Sequence, residues 1–185
     1  MSYPPFQRGS WPAYDHFENI HEMLRKWIFR WKAKNRHGIH SPFIYSFLDH
    51  GLYRKDLRGL APSRRLLLAA VDHFRLRRAH CFQNGNPTVT WLKEERADIQ
   101  WGAAPFDLLI FKSAGSELLQ VISQSRLWHN DSVIFVENLR EDLDSHSFWR
   151  EAAGMDQVRV ILETYTAGLL FFRRQQAPQH FRIRI

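Results

Sequence analysis

Cys81-Phe82-Gln83-Asn84-Gly85-Asn86-Pro87-Thr88-Val89-Thr90-Trp91-Leu92 decides how the rest of the chain is read. Asn-Gly is a strong hairpin signal, because both residues tolerate the positive φ of a tight turn. Short apolar runs flank it, Ala79–Gln83 before and Thr88–Leu92 after. The spacing predicts that these two runs form a hairpin or that one of them is not in the sheet. A parallel crossover with its helix needs at least about 10–12 residues, and residues 84–87 are only four.

Downstream, five more runs read as strands: Asp98–Trp101, Phe106–Lys112, Ser132–Glu137, Gln157–Thr164 and Gly168–Arg173. Phe106–Phe111 is nearly unbroken apolar sequence, as expected of a central strand covered on both faces. Helical intervals fit at Ser116–Ser125 and Leu143–Ala153. Only Tyr165-Thr166-Ala167 separates the last two strands, which predicts an antiparallel hairpin. Strand, helix, strand, helix and terminal hairpin make an α/β pattern. Phe181–Ile185 alternates apolar and basic residues, suiting an edge strand or docked tail.

Upstream, residues 1–14 form an irregular, proline-bearing lead-in, and residues 15–78 form a basic helical extension packed on the core. Asp15 and Glu18 make a capping-box-like start. Phe17, Ile20, Leu24, Trp27, Ile28 and Trp31 follow at helical spacing, predicting one buried face. Arg25, Lys26, Arg30, Lys32, Lys34 and Arg36 crowd the end of this helix and are the candidate partner-binding residues. Three readings suit them: solvated residues of a docked helix, a membrane-surface helix with tryptophans beside cations, or a nucleic-acid contact. Gly38 ends the helix, Ser41 caps the next, and Pro42 takes its first position. Phe43, Ile44, Phe47 and Leu48 form that helix's buried stripe, closed near Gly51. A third helix over about 62–76 is capped by Ser63 and buries Leu66, Leu67, Ala70, Val71 and Phe74.

The 185 residues are 44% hydrophobic and 24% charged, with one cysteine and a formal charge of +7. Intrinsic disorder and a disulfide scaffold are both excluded. No apolar run reaches the roughly 18 residues of a membrane span, and the polar start after Met1 does not read as a signal peptide. A cytoplasmic globular protein is expected. Residues 1–80 hold 15 Lys+Arg against 6 Asp+Glu, and residues 81–185 hold 11 against 13. A basic element is therefore attached to a near-neutral body.

His37-Gly-Ile-His-Ser-Pro-Phe-Ile-Tyr, Phe106-Asp-Leu-Leu-Ile-Phe, Asn130-Asp-Ser-Val-Ile-Phe-Val and Gly168-Leu-Leu-Phe-Phe-Arg-Arg-Gln-Gln-Ala-Pro-Gln-His-Phe carry a resemblance. They resemble a bacterial family of class I S-adenosylmethionine-dependent methyltransferases with a helical N-terminal extension. The resemblance covers most of residues 20–185 and is weakest over 81–104. It implies a Rossmann-like sheet ending in an antiparallel hairpin, here over residues 79–185, and methyl transfer from S-adenosylmethionine.

Three departures from the family fall in one place. A glycine loop with an acid follows the family's first strand, then a helix whose N-terminus lies against the cofactor. Residues 81–87 hold one glycine and no acid, and strand-like sequence comes immediately after them. An acid for the ribose closes the family's second strand; Lys93 stands here, with Glu94 and Glu95 late. An Asp follows the family's fourth strand, where Lys112 stands here, and a lysine cannot accept a hydroxyl's hydrogen bond. With about 80 residues in the extension, the remainder is too short for a full set of crossovers of about a dozen residues each.

The resemblance thus implies a shortened methyltransferase-like protein without cofactor or catalysis, because the binding loop and its helix are missing. An active enzyme with a rebuilt pocket would use S-adenosylmethionine through Asn84, Gly85 and Glu94, with Glu137 and Asn138 at the reacting end. A third reading is a basic adaptor for a protein partner, nucleic acid or anionic membrane. No metal is expected: His37, His40 and His50 lack a carboxylate or thiolate cluster and read as backbone-bonding residues of a tight turn. Cys81 reads as core, and Ser113-Ala114-Gly115-Ser116 as a helix cap.

Overall fold

The computed structural model describes residues 23–34, 38–102, 104–140 and 142–185. Asp15, Phe17, Glu18, Ile20, Arg36, His37 and Glu141 lie outside them. Among the described residues, six α-helices and seven strands occur in chain order: α1 (23–32), α2 (Pro42–Phe47), α3 (Pro62–Phe74), β1 (Arg78–Cys81), α4 (Pro87–Glu95), β2 (Gln100–Trp101), β3 (Phe106–Phe111), α5 (Ser116–Ser123), β4 (Trp128–Val136), α6 (Leu143–Ala153), β5 (Val160–Glu163), β6 (Gly168–Phe171) and β7 (Gln179–Arg182).

The expected strand at Thr88–Leu92 is helix α4, and the expected hairpin does not form. Gly85 takes a φ of 72°, so Asn84-Gly85 does turn the chain. The turn leads into a helix start rather than a return strand. Asn86 Oδ1 accepts the Thr88 N–H at 2.9 Å, and Pro87 fills the first helical position. Thr88, Val89 and Leu92 are buried at helical spacing. Burial of that stripe outweighs the β-propensity of Thr-Val-Thr-Trp. β1 and β2 are consequently parallel, with Arg78 opposite Gln100, and are joined by the crossover that the residue count argues against.

The strand order is β2-β1-β3-β4-β6-β5-β7. The first four strands are parallel; β6 is antiparallel to both β4 and β5; β7 runs parallel to β5 at the edge. The hairpin expected around Tyr165-Thr166-Ala167 is present as β5–β6. The sheet is covered on both sides. Leu108, Ile110, Val133 and Phe135 face a core with α2, α3 and α4. Leu109, Phe111, Ile134 and Val136 face a second core with α5 and α6. The period-2 alternation of a strand feeds both layers. Helices α2 and α3 supply the cover that residues 79–185 are too short to provide.

Two smaller expectations change. Ser63 does not cap α3: Ala61 holds that position without a side-chain bond, and the Ser63 hydroxyl turns to Glu137. Helix α2 continues past Phe47 as a π-turn over Leu48–Leu52, so Gly51 lies within it. A Cβ on Gly51 would stand 3.0 Å from the Phe47 ring.

The larger correction concerns α1. Leu24, Trp27, Ile28 and Trp31, expected to be buried, are 50%, 66%, 46% and 77% exposed. Phe29 and Ala33 are buried instead. The Phe29 ring meets Tyr165 edge-on at 5.6 Å, and the Arg140 guanidinium lies 4.9 Å from both rings. Just past the helix, Lys34 N–H donates to the Arg182 carbonyl, and Lys34 pairs with Ile183. This backbone tie fixes the helix's rotation and turns the larger apolar arc outward.

Candidate functional site

In a parallel sheet, ligands bind beyond the carboxyl ends of the strands where the strand order reverses. Here the chain moves outward from β1 to β2, then returns past β1 to β3. The crevice lies between the ends of β1 and β3, at Cys81–Gln83 and Phe111–Ser113.

The protein's own groups bridge that crevice. Gln83 Oε1 accepts the Lys112 N–H at 2.7 Å, tying the end of β1 to the end of β3. The Phe82 and Phe111 rings stack beside it, 4.6 Å apart and 6° from parallel. Glu137, at the end of β4, is a half-buried carboxylate whose Oε1 accepts from Thr88 Oγ1 at 2.5 Å and from Ser63 Oγ at 3.4 Å. It therefore joins β4, α4 and α3. Asn138 is committed through its backbone: its N–H donates to Lys112 and its carbonyl accepts from Ser145 Oγ.

Beside the crevice is an open cleft of about 290 Å³, lined by the 83–86 turn, Cys81, Val89, Lys93, Trp101 and Gly102. Asn84 and Gly85 belong to it. Glu94 does not: it lies exposed on α4 and outside the cleft lining. Lys93 and Glu94, expected just after the second strand, are both helical. The true second strand ends at Trp101 and is followed by Gly102, so again no acid stands there. Lys93 Nζ lies 4.9 Å from the Trp101 ring centre, laying a cation across one wall. Burial pushes the Cys81 thiol up, and its S–H donates to the Gln83 carbonyl at 3.0 Å. Such a thiol is not a nucleophile near neutral pH.

The candidates are thus divided. Glu137, Asn138, Asn84 and Gly85 gather around α4 and the strand ends, whereas Arg25, Lys26, Arg30, Lys32 and Lys34 lie on or just beyond α1. Arg25 and Lys32 line a separate cleft of about 520 Å³ with Arg140, His146, Arg182 and Asp142. His40 is exposed, and His50 lies 3.8 Å from Asp49. Among the described residues no three His, Cys, Asp or Glu side chains converge as metal ligands.

Among the described residues, two strand-joining polar clusters have no counterpart among the sequence expectations. Asp107 accepts from the Arg77 and Arg78 N–H groups at 2.9 Å each and from the Arg78 guanidinium, with His129 Nε2 2.9 Å away. Burial opposes ionisation, but these partners outweigh it and hold the carboxyl at about 2. Glu163, on β5, is buried against His180 Nε2 at 2.8 Å, Arg140, and Arg182 at 3.7 Å. Burial again works against its charge, and His180 and Arg140 prevail, holding it at about 2. No local motif announces either cluster, because the partners come from residues 17 to 51 positions apart. Both join strands, and neither opens onto the crevice.

Comparisons with protein-family models, with curated proteins and with solved structures find no match.

Proposed function

We propose that the chain is a methyltransferase-like α/β domain that does not catalyse methyl transfer, because its own side chains close the cofactor crevice. The observation that carries this reading is the bridge from Gln83 Oε1 to the Lys112 N–H at 2.7 Å. A cofactor lying between the ends of β1 and β3 would have to displace it. Glu137 supports the same reading, since Thr88 and Ser63 already occupy its Oε1. The antiparallel β5–β6 hairpin after four parallel strands agrees with the family-like sequence segments, although β7, parallel to β5, forms the edge where the hairpin was expected to end the sheet.

The reason for inactivity differs from the one the sequence suggests. The helix after β1 is present, so its absence cannot be the cause. The remaining causes are chemical: no acid in the 81–87 loop, Gly102 after β2, and Lys112 after β3. The intact β1–turn–α4 unit favours a second reading, an active enzyme using the 290 Å³ cleft. Small-molecule sites usually enclose about 300–1,000 Å³, so this cleft lies at the bottom of that range.

Calorimetric titration with S-adenosylmethionine and S-adenosylhomocysteine separates the two. No saturable heat up to millimolar ligand is expected. Micromolar binding that Gly85→Val abolishes would establish the second reading instead.

A further inference from the structure

Helix α1 has two apolar arcs, and the body uses only the smaller. At about 100° per residue, Phe29 and Ala33 share the inner side. Met23, Leu24, Trp27, Ile28 and Trp31 form a second arc, roughly 140° wide, on the opposite side. All five are exposed, Met23 by 69%, Trp27 by 66% and Trp31 by 77%. Two exposed tryptophans on a helix anchored by its other face are not accounted for by the fold.

Charge identifies the occupant. Arg30 stands on one border of the outer arc, and Arg25 and Lys32 on the other. Lys26 turns inward, with its Nζ 5.6 Å from the Tyr165 ring centre. Cations continue onto the adjoining body: Lys32, Lys34 and Arg182 line one neighbouring cleft, and Arg25, Arg140 and Arg182 line the next. Among the described residues, Asp142 is the acid lining these clefts, and nearby Glu163 is already engaged by His180, Arg140 and Arg182.

An apolar, tryptophan-bearing arc with cations on both borders matches the boundary of an anionic bilayer. There indole rings sit at headgroup depth while lysine and arginine reach the phosphates. A nucleic-acid duplex would use the cations and leave the apolar arc in water, and single-stranded bases would stack on the tryptophans but leave Met23, Leu24 and Ile28 in water. We infer that α1 is a docking helix for anionic lipid bilayers: Met23, Leu24, Trp27, Ile28 and Trp31 enter the interface, and Arg25, Arg30 and Lys32 contact lipid phosphates. The helix remains pinned to the body through Phe29, so docking needs no refolding. Among the described residues no helix is long and apolar enough to cross a membrane, so contact through α1 is peripheral. This inference does not depend on the methyltransferase-like reading.

The test is flotation of the full chain with vesicles of phosphatidylcholine, with and without about one third phosphatidylglycerol, and with a single-stranded RNA homopolymer as competitor. Flotation with the anionic vesicles and a blue shift of tryptophan emission are expected. Trp27→Ser with Trp31→Ser should lower partitioning at least tenfold while leaving the circular dichroism melt unchanged. Arg30→Gln with Lys32→Gln should lower it by a similar factor, since each cation near such a surface strengthens binding severalfold. Equal flotation with neutral vesicles would overturn the inference. So would partitioning unaffected by the tryptophan changes, or RNA binding without flotation. Self-association that those changes dissolve, without flotation, would assign the arc to a second copy instead.

Discussion

The two halves of the sheet are built on different terms. On the hairpin side, β4, β6 and β5 are held by ladders, a buried charge cluster and close packing. Glu163 is buried among Arg140, His180 and Arg182, and Gly168 lies so near Trp149 that a Cβ there would stand 2.5 Å from its ring. On the crossover side, β2 has two residues, α4 has nine, and an open cleft lies beside the turn joining β1 to α4. The hairpin half is closed by its buried cluster and packing. The crossover half is tied by the Asp107 and Glu137 clusters but carries a two-residue edge strand, and the strand-end crevice lies there.

The largest effect that would break this contrast is at Glu163. Glu163→Gln removes a buried charge from Arg140, Arg182 and the His180 ring and should cost about 3 kcal/mol in urea unfolding; a loss under about 1 kcal/mol would show that the cluster is not a constraint. The pH dependence has a definite sign. Both Asp107 and Glu163 titrate lower in the folded protein, at about 2, than their ordinary values of 3.8 and 4.5. Their contribution is complete above about pH 4.5 and is lost as pH falls toward about 2. Melts at pH 7, 4, 3 and 2 should show that decline, and E163Q should flatten it.

Gly168→Ala comes next, at about 1–3 kcal/mol, because a methyl group must displace Trp149 or Leu139. On the crossover side, Asn86→Ala should cost about 1 kcal/mol, the usual value of a lost N-cap. It should also speed amide exchange in α4 and β2 while leaving β4 and β6 protected, which sharpens the contrast directly. The smallest effect is at Glu94: E94Q should stay within about 0.5 kcal/mol and leave any cofactor titration unchanged, since the residue is exposed outside the cleft lining.

Elements announced by local chemistry are legible in the sequence. Leu143–Ala153 is helix α6 with the expected bounds, and Tyr165-Thr166-Ala167 joins the expected hairpin. Ser41 followed by Pro42 reads as a cap and first helical position, and Ser41 Oγ does accept from Ile44. Asn86 followed by Pro87 has the same grammar, but the hairpin signal of Asn84-Gly85 overlies it. Two turn signals overlap, and the burial of Val89 and Leu92 decides between them. Of the candidate site, Glu137, Asn138, Asn84 and Gly85 are legible as residues at strand ends or loops. Gln83, Thr88 and Ser63, which bond Lys112 and Glu137 at the strand ends, carry no signal, because their partners lie 29, 49 and 74 residues away.

By itself, the sequence determined an α/β chain with a basic front, a central strand at Phe106–Phe111 and a hairpin around Tyr165-Thr166-Ala167. Periodicity, caps and composition act over a few neighbouring residues, and they are written locally. Tertiary structure decided whether residues 88–92 were strand or helix, which arc of α1 faced outward, and which side chains filled the crevice. Each choice compared two locally acceptable states. The difference came from contacts with distant residues: the α3–α4 core, the Lys34–Arg182 backbone tie, and the Gln83–Lys112 bridge. Such energies exist only once the chain has brought those residues together.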